Sequence, residues 1–136
     1  MKLLLDTHVL VWLVEGVTRL SPKARVAIDK AATSAGIFVS AISFWEVAML
    51  QQRGRLSLTM AVSEWRHQVL NGRGIVELPV DGDIAIEAVA LPGELHADPA
   101  DRLLVASARV HGCRLATHDA RLLRYADAGH VQVLRV

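Results

Sequence analysis

Cysteine is almost missing from this chain: Cys113 stands alone. No disulfide can form within the chain, which suits a reducing cytoplasm. The six histidines show no zinc-type spacing with Cys113, which argues against a zinc centre. Lysine is scarce too. Lys2, Lys23 and Lys30 are its only instances, and every later basic side chain is Arg or His. An excess of one charge sign is absent, with 15 Lys and Arg against 14 Asp and Glu, so net charge points to no nucleic-acid partner. The arginine bias suits phosphate or carboxylate recognition through a rigid bidentate fork. It suits a GC-rich genome equally well. No apolar run approaches the roughly 18 residues of a membrane span. Asp6 and His8 interrupt the apolar N-terminal segment and no small-residue cleavage site follows, so it does not read as a signal peptide or membrane anchor.

What is present is apolar mass. Hydrophobic residues make up 52% of 136 positions, enough for one sizeable core. The surplus over an ordinary domain predicts an oligomer or partner interface.

The chain alternates short apolar runs with amphipathic ones. Strands are predicted at 2–5, 37–40, 75–80, 114–117 and 131–134. Helices are predicted at 8–15, from Ser21-Pro22 to Thr33, at 41–53, 59–70 and 83–91, after Asp98-Pro99, and at 120–125. Ser21-Pro22 and Asp98-Pro99 each set an N-cap before a proline at the first helical position. Gly16, Gly54 and Pro92-Gly93 stop helices. Alternation of this kind predicts an α/β fold with a parallel central sheet and helices on both faces, as a single domain over 1–136. Ligands of such sheets bind outside the carboxyl ends of the strands, near the topological switch point.

Four acids belong near that rim: Asp6, Glu46, Asp101 and Asp119. Converging carboxylates repel one another unless a cation neutralises them, and a hard divalent ion with oxygen ligands is the simplest one. Each acid has a plainer role as an alternative. Asp6 and Asp119 end strands and would also cap the helices that follow. Glu46 either closes a capping box with Ser43, or lies inside a helix capped by Ser40, flanked by Trp45 and Val47. Asp98, before Pro99, reads as an N-cap and outer residue, which leaves Asp101 at the third helical position as the ligand. Thr7 and Thr117 are candidates to orient ligands. Arg102 is a candidate to pair with Asp98 or reach a phosphate. Arg53, Arg55, Arg66 and Arg73 are weaker substrate candidates. Trp12, Trp45 and Trp65 read as core or interface rather than as platforms for bases.

Taken together these segments resemble the PIN-domain family, and within it the VapC-type toxins of toxin–antitoxin pairs. The resemblance rests on Leu4-Leu5-Asp6-Thr7-His8, Ser40-Ala41-Ile42-Ser43-Phe44-Trp45-Glu46-Val47, His96-Ala97-Asp98-Pro99-Ala100-Asp101-Arg102-Leu103-Leu104 and Thr117-His118-Asp119. It implies a Mg²⁺- or Mn²⁺-dependent endoribonuclease with Asp6, Glu46, Asp101 and an accessory Asp119 as catalytic and metal-binding residues. It further implies an RNA substrate, a cognate antitoxin that blocks the acidic site, and a homodimer. Two other Asp-bearing α/β classes fit less well. A haloacid-dehalogenase-type phosphatase needs a second Asp where His8 stands, and a receiver domain needs a Lys after a late strand. A PIN nuclease of RNA processing, or a silent PIN-like binding module, remains the alternative.

Overall fold

A computed structural model describes residues 1–17, 19–72 and 74–136. Strands β1 (Leu3–Leu5), β2 (Ile37–Ser40), β3 (Ile75–Leu78), β4 (Arg114–Thr117) and β5 (Val133–Arg135) form one sheet in the order β3-β2-β1-β4-β5. Every pairing is parallel. The chain builds outward from β1 to β3 on one side, then returns to lay β4 and β5 on the other. The switch point therefore falls between β1 and β4.

Parallel strands need crossovers, and these supply seven helices among the described residues. They are α1 (Thr7–Glu15), α2 (Pro22–Ala32), α3 (Ala41–Gln52), α4 (Val62–Gly72), α5 (Gly82–Ala90), α6 (Pro99–His111) and α7 (Ala120–Asp127). Strand alternation sorts the core onto two faces. Leu3, Leu5, Ile37, Val39 and Ala116 pack with α1 to α4, where Leu10, Ile28, Phe44 and Trp65 are buried. Leu4 and Leu115 face the other way, onto Ile84 of α5, Leu104 of α6 and Leu122 of α7. A sheet covered on both faces explains why β1 can be three leucines with no polar member.

Several boundaries differ from the sequence expectation. β3 ends at Leu78, and β5 starts only at Val133. Val131 is buried in the second core although it lies outside the strand, so its apolar character reports packing rather than pairing. α4 starts at Val62 rather than 59 and runs through Gly72 rather than ending at 70. α7 continues to Asp127. Ser40, not Ser43, caps α3, its hydroxyl accepting from the Ile42 amide at 3.1 Å. Ser43 lies inside the helix, so the capping box with Glu46 does not form. Arg73 lies outside the described residues.

Candidate active site

Asp6 follows the last residue of β1, and its amide still joins the ladder by donating to the Ala116 carbonyl at 3.0 Å. Its side chain caps α1. Oδ1 accepts from the Thr7 amide at 2.7 Å, and Oδ2 accepts from the Thr117 hydroxyl at 2.7 Å. Thr117 closes β4 and in turn accepts from the Asp119 amide at 3.0 Å. The two strand-end acids on either side of the switch point are thus tied through one buried threonine.

The acids carried by helices reach the same place. The Thr7 hydroxyl donates to Glu46 Oε1 at 2.6 Å and lies 2.8 Å from Ser43 Oγ, whose proton it can accept. Asp98 caps α6 by accepting from the Asp101 amide at 3.1 Å. That cap orients the first turn of α6, from which Asp101 projects. Asp6, Glu46, Asp98, Asp101 and Asp119 all line one cavity of about 280 Å³. Asp6 and Asp101 are only 7% and 8% exposed, so their charges are poorly hydrated.

The electrostatics follow from that burial. Desolvation pushes the Asp6 carboxyl above the usual carboxylate range, helped by the charge of Asp101 and opposed by the bond from Thr117. Burial likewise raises Glu46, against the Thr7 hydrogen bond and together with Asp6, Asp101 and Asp98. It raises Asp101 as well, against the bond to His96 and with repulsion from Asp98 and Asp119. Asp119 goes the other way. Burial would raise it, but hydrogen bonds from the Arg121 side chain and from the Arg121 and Leu122 amides outweigh that and hold it low. Three acids therefore lack adequate compensation, and one is compensated by its role as the α7 cap.

Two residues to which the sequence reading assigned no role stand here. His96 Nε2 lies 2.6 Å from Asp101 Oδ2. Arg121 Nη2 lies 3.3 Å from Asp119 Oδ2 and 3.6 Å from Asp101 Oδ2. His96 sat inside a recognised segment with nothing to mark it. Arg121 is the second residue of a helix, and only the cap geometry of Asp119 brings its side chain to the acids.

Other candidates stand elsewhere. Arg102 does not reach the acids. Its guanidinium donates to the carbonyls of Ala88, Leu95 and Val89 at 2.8, 2.9 and 3.4 Å, which directs it to backbone rather than to Asp98. Arg66 is held by Glu77 in a bidentate pair at 2.8 Å. Arg53 and Arg55 are exposed and do not line the cavity. Trp65 is buried as expected. Trp12 is half-buried and lines the acidic cavity, because helical periodicity fixes which residues share a face but not what that face meets.

Among the described residues, no three Asp, Glu, His or Cys side chains close into a ready metal shell. The donor set still fits a hard cation. It is dominated by carboxylate oxygen, it is under-compensated, and its spread suits an ion that keeps much of its water.

A five-stranded parallel sheet with carboxylates gathered at its switch point is an α/β architecture whose site suits hydrolytic or phosphotransfer chemistry. The PIN domain family model matches residues 3–128, and the chain belongs to that family. It is 40% identical over 119 residues to Ribonuclease VapC22 of Mycobacterium tuberculosis, covering 88% of each chain. Solved structures share the fold as well. VapBC2 from Rickettsia felis, bound to a promoter DNA fragment, superposes with a TM-score of 0.72 at 14% identity, covering 98% of each chain. DNA-bound VapBC from Salmonella typhimurium gives 0.66 at 16% identity, covering 98% of this chain and 97% of that one.

Proposed function

We propose that this chain is the toxin ribonuclease of a toxin–antitoxin pair, cutting RNA phosphodiester bonds with Mg²⁺ or Mn²⁺. Residues 1–136 would act as one nuclease domain. The observation that carries the reading is the convergence of Asp6, Glu46, Asp101 and Asp119 on one cavity at the switch point. The 40% identity to a ribonuclease VapC supports it.

Asp6, Glu46 and Asp101 would hold the metal, partly through water, with Asp119 as the accessory ligand. A divalent ion there supplies charge neutralisation for the attacking and leaving oxygens. Thr7 and Thr117 fix the carboxylates by donating to Glu46 and Asp6. Asp98 sets the pitch of the α6 turn bearing Asp101. Arg121, half-exposed beside two carboxylates, is placed to turn toward a substrate phosphate. The partner proposed is a cognate antitoxin, whose binding over the cavity would silence it. Exposed Ile86 and Val89 on α5 support a homodimer that covers them.

Purified protein is expected to cleave RNA with Mg²⁺ or Mn²⁺ and to stop in excess EDTA. Asp6→Asn or Asp101→Asn should remove cleavage by more than about a hundredfold while leaving the circular dichroism spectrum unchanged. Robust cutting in EDTA would sink the metal requirement. Expression should arrest growth, with rescue by a small neighbouring antitoxin frame. A nuclease without growth arrest would favour RNA processing instead.

A further inference from the structure

The acidic cavity has a second lining that the carboxylates do not explain. His8, Trp12, Arg19 and His118 border it too. His8 and Trp12 stand four residues apart on α1, the helix capped by Asp6, and so share a face. Their ring centroids are 6.3 Å apart and tilted by 51°. His118, the first residue beyond β4, sets its ring 6.0 Å from Trp12 at 66°. Arg19 places its guanidinium carbon 5.6 Å above the indole.

Trp12 is the aromatic that this cavity exposes. Phe44, Trp65 and Tyr125 are buried, whereas Trp45 is exposed on α3 away from the acids. Trp12 is half-buried, and His8, Arg19 and His118 are exposed around it. Neither ring pair is stacked face to face, so neither mimics a stacked base. One side of Trp12 packs against the core, and the exposed Arg19 guanidinium lies over the indole.

A cavity of carboxylates repels a polyanion, so a nucleic-acid strand must be held by groups other than those that act on its phosphate. Stacking does this without a phosphate contact, since every base has a π-face. A guanidinium beside the ring adds cation–π attraction and a donor for a flanking phosphate.

We infer that Trp12, edged by His8 and His118 and covered by Arg19, is a subsite for an unpaired base of single-stranded RNA, next to the phosphate at the carboxylates. The inference rests on the ribonuclease reading and deepens it. Arg19 leaves the indole as the base arrives and turns to the neighbouring phosphate. Duplex RNA, whose bases are stacked and paired, cannot fill the subsite without unpairing.

The test measures binding by fluorescence anisotropy of a short labelled oligouridylate in EDTA, against an abasic oligonucleotide of equal length and charge. Cleavage of the same RNA with Mg²⁺ is followed in parallel. The intact strand should bind more tightly than the abasic one. Trp12→Ala should erase that difference and raise KM roughly five- to a hundredfold, with a smaller effect on kcat. Trp12→Phe keeps a ring and should lose less. His8→Ala removes an exposed ring, where unfolding is not at issue, and should also narrow the gap. Equal affinity for intact and abasic strands overturns the subsite, even if cleavage is normal. Trp12→Ala that keeps RNA affinity but loses the antitoxin overturns it as well, and makes the wall a protein-docking face. A base-dependent affinity without cleavage under any metal supports the subsite and instead counts against the nuclease reading.

Discussion

Thr7 shows how much of this site depends on one buried hydroxyl. It is 1% exposed and bonds two partners in α3, Ser43 and Glu46, the latter 39 positions away. Thr7→Val keeps the shape and removes the donor, leaving Glu46 with less support for its charged form. Burial already raises the Glu46 carboxyl, and the lost bond lets it rise further. The acid limb of the cleavage pH profile should therefore move to higher pH, so activity falls most on the acid side and recovers as pH rises. Stability should drop by about 1–3 kcal/mol for the unsatisfied polar group. Thr7→Ser should restore both. An unshifted limb in Thr7→Val would show that ionisation of Glu46 does not limit the reaction. At this scale the sequence revealed the acids but not their supports. An Asp after three leucines is visible as a strand end, whereas the bond from Thr7 to Glu46 exists only once β1 and β2 pair.

Helix starts do double duty across the molecule. Asp98 and Asp119 cap α6 and α7 while lining the cavity, and the dipole at each N-terminus lowers the cost of holding negative charge there. Both caps were legible, because a helix-initiating acid has a local signature. The α3 start was ambiguous, since Ser40 and Ser43 both suit an N-cap and only the end of β2 decides between them. The bonds of Arg102 were not legible for a related reason. Its neighbours Asp98 and Asp101 suggest a partner, but the end of α5 and the segment after it together present three carbonyls to the guanidinium. Two of those carbonyls, from Ala88 and Val89, belong to the last turn of α5, so Arg102 works as a C-terminal cap supplied by another helix. Arg102→Ala should destabilise the fold by about 2–3 kcal/mol in urea titrations, with kcat per folded molecule retained. Arg102→Lys should recover only part of this, because one ammonium cannot match the planar fork. A large kcat loss without destabilisation would return Arg102 to the site.

At the scale of the whole molecule, the strand order forces a cost onto the folded state. Placing β4 beside β1 carries Asp119 to Asp6, while the helices after β2 and before β4 add Glu46 and Asp101. The unfolded chain keeps these charges apart and hydrated. Asp6, Glu46 and Asp101 therefore have folded pKa values above their unfolded ones. Between those two values the folded state binds more protons, so the contribution of these three groups to stability falls as pH rises through that window. Asp119, held low, contributes in the opposite sense, and its share is lost on acidification. In EDTA the midpoint of thermal unfolding should thus decline as pH rises from the ordinary carboxylate range toward neutrality. Asp6→Asn should flatten that decline and unfold at a higher temperature than the unaltered chain at pH 7. A divalent ion that binds only the folded site acts against the same repulsion. At about a hundredfold over its Kd it should add roughly 2.7 kcal/mol, or on the order of 10 °C for a chain of this size. Asp6→Asn should lose most of that gain along with its cleavage. If Mg²⁺ and Mn²⁺ leave the midpoint of the unaltered chain unmoved at pH 7, the carboxylates are not a metal site. Their repulsion would then have to be relieved by Arg121 and His96 alone.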